Sequence, residues 1–385
     1  MIHAQPEPVY AEDPAAQASN AFAFDTLNAI RDDAAHKQGN VVFSPFSLWS
    51  ALTMTSGGAA GSTLKEMQHT LHVTSGGDVH ARAGALTATL QATPGAELRV
   101  ANRLFGEPGF AIVQAFNALM QKEYRAEIAH VPFTQDPAAA CKQINKWVAG
   151  KTANKIHGLV SPSNIHKDTK LILVNAVYFK AAWQNEFNPE LTTEMAFTRA
   201  SGKTMETPMM SMEGDLPYFE APGFQAVRLN YKDGKSSCII LLPAEGRKLE
   251  MSVELFNKIR TGLATRKVKL RLPRFTLQER LDFVPVLRSL GMKLPFTEKA
   301  DFSALSTDAR EPLVLGSVLH QAFVKLGEKG TEASAATAIV ASAGSAYQGP
   351  RPAVFIANRP FYFFITQEET GAILFMGKVD KPDSK

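Results

Sequence analysis

Residues 333–346 read ASAATAIVASAGSA: fourteen positions with no charge, no proline and no aromatic ring, seven of them alanine. The tract follows a strong strand pattern, VLGSVLHQAFVKL at 314–326, and the segment GEKGTE at 327–332. Counted in twos from Thr331, one face carries Thr331, Ala333, Ala335, Thr337, Ile339, Ala341 and Ala343, uncharged and bulky only at Ile339. The other face carries the single charge, Glu332. Such a strand can lie in a sheet with one face down. It would run about thirteen residues, against a usual five or six. Gly330 at its start can take backbone angles closed to other residues. Pro350 and Pro352 at its end cannot join a central sheet. Three readings compete. One is a flexible Ala/Ser linker, although Ile, Val and Thr are unusual in linkers. Another is a β-prone segment that zips onto copies of itself. The third is a strand entering a narrow slot between packed neighbours, where a large or charged side chain within Thr331–Ala336 meets steric and desolvation costs.

Length and charge narrow the class. The 385 residues are 45% hydrophobic, enough for one large domain. The 41 basic residues are scattered and nearly matched by 37 acidic ones, which argues against a nucleic-acid partner. No apolar run is long enough to cross a bilayer, so no membrane partner is expected. Residues 1–17 lack the apolar core of an export signal. Their polar, proline-bearing character resembles the flexible lead of an exported chain. The expectation is a secreted or periplasmic protein whose signal is missing from this sequence, with the cytoplasm left open.

Catalytic signatures are missing. The runs AGKT at 149–152 and GKT at 202–204 lack the earlier glycine of a phosphate loop: positions 145 and 197 hold Asn and Phe. There is no HExxH and no GxSxG. His69 and His72 share a helix face without a third ligand. No enzyme, metal or cofactor is expected. Cys141 and Cys238 stand in neither a redox nor a zinc spacing, and whether they pair stays open.

Helical patterns dominate the first 150 residues, at 17–33, 79–91, 112–124 and 137–150. Two more are better marked. SPFSLWSALTMTSGG reads as a helix capped by Ser44, with Pro45 in its first turn and Gly57 and Gly58 as terminators. GSTLKEMQHTLHV reads as another, with Ser62 as candidate cap. Strands follow. KLILVNAVYF is apolar on both faces, as a central strand should be. AVRLNY and SCIILLP flank an Asp233-Gly234 turn. KVKLRLPRFTLQERL alternates with period two. In VLGSVLHQAFVKL, Val318, His320, Ala322 and Val324 share a face. RPFYFFITQEETGAILFMGKV reads as a terminal hairpin turning at EETG. Helices first and sheets after make an α+β single domain.

Five blocks in order resemble the serpin family, from about residue 17 to 381. They are NVVFSPFSLWSALTMTSGGAAGSTLKEM, NAVYFKAAWQNEFNP, KVKLRLPRFTLQERLDFVPVLRSLGMKLPFTEKADFSAL, VLHQAFVKLGEKGTEASAATA and NRPFYFFITQEETGAILFMGKV. The resemblance implies three β-sheets, eight or nine helices and an exposed reactive-centre loop, here about 328–352. A flexible lead would occupy 1–16 and the single domain 17–385. It implies a suicide substrate of serine proteases, with cysteine proteases as a second target class. The protease attacks the loop and forms an acyl-enzyme; residues 330–344 then insert as a new strand and trap the protease covalently.

By matching motif, Glu328, Gly330, Thr331, Glu332, Ala333, Ser334, Ala335 and Ala336 form the hinge. Ser44, Ser47, Asn175 and His320 form the polar shutter beneath the sheet. Trp183, Arg274 and Glu328 form the breach at its top, with Arg274 where Lys is more frequent. Family spacing sets the scissile bond at Gly344-Ser345. Glycine is a poor anchor for a protease pocket and the following segment is longer than usual, so Ala343, Ala346 and Tyr347 are alternatives. Small residues there suit elastase-like or subtilisin-like enzymes. The resemblance implies a monomer with loop-sheet polymers as a second state. Helix 79–91 holds one basic residue, Arg82, and so offers no heparin site. The other reading is a non-inhibitory serpin: a carrier, chaperone or storage protein.

Overall fold

The computed structural model describes residues 13–32, 39–74, 78–109, 111–165, 169–307, 313–332 and 351–383. Eight α-helices lie among them: α1 Pro14–Asp32, α2 Pro45–Ser56, α3 Gly61–Thr70, α4 Val79–Gln91, α5 Gln114–Tyr124, α6 Pro137–Lys151, α7 Val253–Gly262 and α8 Val284–Ser289. The Asp13 carboxylate accepts from the Ala15 and Ala16 amides at 2.7 and 3.2 Å and starts α1 there. Ala15 and Ala16 are buried, so the end of the supposed 1–16 lead is helix. Ser44 caps α2, accepting from Ser47 N at 3.2 Å, and Pro45 opens it. Ser62 does not cap α3; the helix begins at Gly61, one residue before it.

Gly57 and Gly58 act through packing rather than backbone freedom. Gly57 ends α2 in right-handed geometry, φ −63°. A Cβ there would lie 2.5 Å from Leu119, and one at Gly58 would lie 2.6 Å from Leu305.

Among the described residues, fifteen strands make two hydrogen-bonded sheets. The six-stranded sheet runs β10 (Phe275–Asp282), β11 (Leu315–Gly327), β12 (Gly330–Thr331), β4 (Leu171–Ala182), β2 (Ala96–Gly106), β3 (Ala129–His130). The nine-stranded sheet runs β1 (Val41–Phe43), β15 (Ile373–Val379), β14 (Phe361–Gln367), β8 (Ser236–Pro243), β7 (Phe224–Asn230), β6 (Thr204–Ala221), β9 (Ala264–Pro273), β13 (Ala353–Ile356), with β5 (Thr193–Thr198) on β6. The third expected sheet is continuous with the second through β6. That 18-residue strand pairs with β5 and β9 along most of its length and with β7 only at its end.

The alternating run 267–281 is one pattern in sequence but two strands in space. β9 ends at Pro273 in one sheet and β10 starts at Phe275 in the other. Proline removes a ladder donor, so the chain changes sheets there. β4 is buried on both faces. Leu173 and Val177 join the main core with α2, while Ile172, Val174 and Ala176 join a second core with Ile144 and Val148 of α6. Cys141 and Cys238 are free, buried, and belong to these different cores. Among the described residues no helix is long and apolar enough to cross a membrane.

Candidate functional site

The site is a seam in the six-stranded sheet. From Leu315 to Phe323, β11 pairs directly and in parallel with β4 from Leu171 to Tyr178. Above that stretch the two strands part, and Gly330–Thr331 fills the gap as β12. β12 is antiparallel to both neighbours: Leu326↔Thr331 and Gly327↔Gly330 on one side, Ala181↔Thr331 and Ala182↔Gly330 on the other. The hinge therefore begins inside the sheet, with Thr331 fully buried.

Gly330 is required by contact. Its φ is +143°, and a Cβ would lie 2.2 Å from Ala181 O. Thr331 Oγ1 lies 2.6 Å from the Tyr231 hydroxyl. Tyr231 is itself buried and stacks on Trp183 with centroids 4.5 Å apart at 12°. Burial pushes the Tyr231 phenol well above its ordinary range, so it stays neutral. Trp183 Nε1 donates to Gly327 O at 2.9 Å, and its backbone amide donates to Lys329 O at 2.9 Å. Trp183 thus holds both ends of the turn that delivers the hinge.

Glu332 stands where the chain leaves the sheet, in the left-handed region at φ +53°. That geometry costs a non-glycine residue about 1 kcal/mol. Three contacts offset it. Its amide donates to Lys325 O at 2.9 Å, Lys155 Nζ donates to Oε1 at 2.9 Å, and the Tyr178 hydroxyl donates to Oε2 at 2.8 Å. Desolvation, and then this bond, push the Tyr178 phenol up. Glu328 accepts from Thr192 Oγ1 at 2.9 Å and pairs with Arg274 at 3.4 Å. The Arg274 side chain is 45% exposed, so that pair contributes about 0.2–1 kcal/mol.

Beneath the seam lies the polar cluster expected as the shutter. His320 and Asn175 face each other in the β11–β4 register. The Ser44 amide donates to His320 Nε2 at 3.1 Å, which leaves the ring proton on Nδ1, bonded to Asn175 Oδ1. Asn175 Nδ2 donates to Ser47 O at 3.1 Å, to Ser47 Oγ at 2.5 Å and to Asn102 Oδ1. Burial lowers the His320 pKa from 6.5 to about 3, so the ring is neutral. The four expected shutter residues meet, as do Trp183, Arg274 and Glu328 with the hinge turn. Ala333, Ser334, Ala335, Ala336, Ala343, Gly344, Ser345, Ala346 and Tyr347 lie outside the described residues.

Sequence reading missed Tyr231, Tyr178, Lys155 and Asn102. Asn102 carried a faint signal as a polar residue in a strand, and it sits opposite Asn175 in the β2–β4 pair. Tyr231 and Lys155 lie 100 and 177 positions from their hinge partners, where no local pattern reaches. On α4, Arg82 pairs with Asp78 at 2.9 Å and His80 contacts Tyr124 at 2.8 Å. His72 meets Asp25 at 2.7 Å.

The sequence matches the family described as Serpin (serine protease inhibitor) over residues 17–382. It is 36% identical over 381 residues to Serpin B8 of Homo sapiens, covering 96% of this chain and 100% of that protein. It is 36% identical over 379 residues to the leukocyte elastase inhibitor of Sus scrofa, covering 95% and 98%. Among solved structures, human thyroxine-binding globulin complexed with thyroxine matches with a TM-score of 0.85 at 26% identity, covering 96% of this chain and 99% of that one. Serpin48 of the insect Tenebrio molitor matches at 0.83 and 26%, covering 96% and 98%.

Proposed function

The chain belongs to the serpin family, and on that premise we propose that it is a suicide-substrate inhibitor of serine proteases rather than an enzyme. The observation that carries the reading is β12. The hinge already lies between β11 and β4 with Thr331 buried, and an uncharged tract, 333–346, follows it directly. Below β12 the β11–β4 ladder is parallel. Extending β12 downward replaces that one parallel ladder with two antiparallel ones, which are more stable per residue. A small-residue strand enters without the desolvation cost a charge would carry.

Cleavage at Gly344-Ser345, or a neighbouring bond within 343–347, frees residues 330–344 to follow the hinge into the seam, carrying the acyl-linked protease with them. Elastase-like and subtilisin-like enzymes are the favoured targets, from Ala343 and Ala346; the relative named as a leukocyte elastase inhibitor is in keeping with this. A second reading, a small-molecule carrier, draws on the likeness to a globulin that binds thyroxine. Incubation with elastase and with subtilisin, followed by denaturing gel electrophoresis, separates the two. A band at the summed mass that survives SDS supports inhibition. Cleaved chain alone, with full protease activity, supports the carrier.

A further inference from the structure

Beside the hinge turn is a cavity of about 650 Å³ whose walls come from β2, β4, β11, the hinge turn and the segment after α6. Five cations line it: Arg99, Lys155, Lys180, Lys325 and Lys329. Three carboxylates share the lining, and each is engaged. Glu97 pairs with Arg99, Glu332 with Lys155 and Glu328 with Arg274. Lys180, Lys325 and Lys329 have no carboxylate partner among the described residues. The chain that follows the hinge cannot supply one, because positions 333–350 contain no charged residue. Three lysines on separate elements thus line one concavity, where five cations outnumber three carboxylates. Focused positive potential in a walled cleft attracts anions, and lysine binds phosphate as a point charge.

We propose that this basin binds a compact oligophosphate, and that the ligand competes with the Glu332 carboxylate for Lys155. Glu332 is the residue that fixes the chain where it leaves the sheet, so ligand and seated hinge oppose each other. The coupling is reciprocal: whatever strengthens the Glu332–Lys155 contact weakens the ligand by the same factor. The site rests on charge and shape alone and does not need the inhibitor reading.

The test is calorimetric titration of the full chain with sodium tripolyphosphate, against sodium sulfate at the same ionic strength. Saturable 1:1 binding of tripolyphosphate is expected, with sulfate far weaker. Lys325→Gln/Lys329→Gln should weaken it about tenfold, the sum of two partly exposed charge contacts. Glu332→Gln, which removes the competitor, should tighten it about fivefold or more. Lys142→Gln/Lys258→Gln, away from the basin, should change nothing; circular dichroism checks that every variant folds. No saturable binding, or equal affinity in the first double variant, overturns the site. Unchanged or weaker binding to Glu332→Gln overturns the competition. Each readout is an affinity, so either failure is distinct from failure to inhibit a protease.

Discussion

At the scale of single residues, the site depends on groups kept neutral or small. His320 is buried, accepts at Nε2 and donates from Nδ1, and its pKa is lowered to about 3. The unfolded chain therefore binds a proton near pH 6.5 that the folded chain refuses. Stability from the neutral ring is present above about pH 6.5 and is lost as pH falls toward 3, at up to about 1.4 kcal/mol per pH unit. Thermal melts of wild type and His320→Gln should show the gap between them closing as pH drops through that window. A constant gap would mean that the ring does not titrate on unfolding. Thr331 is the second case. Thr331→Arg would set a cation against buried Tyr231 and Trp183, and its desolvation should unseat β12, the strand from which insertion extends. Elastase should then cleave the variant without being trapped, raising the molar ratio needed for full inhibition about tenfold.

At the scale of elements, β12 and the parallel seam below it matter most. Gly330 touches the β4 backbone, so Gly330→Val cannot be seated without parting the strands. Overpacking of this kind costs about 1–3 kcal/mol. The melting temperature of the uncut protein should fall, and Trp183 fluorescence should shift because its stack on Tyr231 underlies Thr331. An unaltered spectrum and melt would show that β12 is not held as described. Several elements were legible in the residues. The Ser44–Pro45 start of α2, the Asp233-Gly234 hairpin and the two-faced apolarity of β4 all follow from local rules. The division of 267–281 between two sheets was not, because a period-two pattern is the same whichever sheet receives it.

For the whole molecule, the proposed function requires that the parallel β11–β4 ladder open to admit a cut loop. Loop cleavage by subtilisin should raise the melting temperature, since a full new strand adds two ladders and buries apolar surface. A gain of several kcal/mol in a domain of this size moves the transition by about 5 °C. A cleaved protein that melts where the intact one does would remove the basis for insertion. The sequence by itself determined the α+β class, the family and the uncharged chemistry of the 333–346 tract, because each is written in neighbouring residues or short motifs. Only the tertiary structure decided that Thr331 already lies between β11 and β4, that Tyr231, Tyr178 and Lys155 bond Thr331 and Glu332, and that lysines with no carboxylate partner among the described residues line a cavity beside them. Those contacts join residues a hundred or more positions apart. Their energies depend on distances and burial that exist only once the sheets have packed.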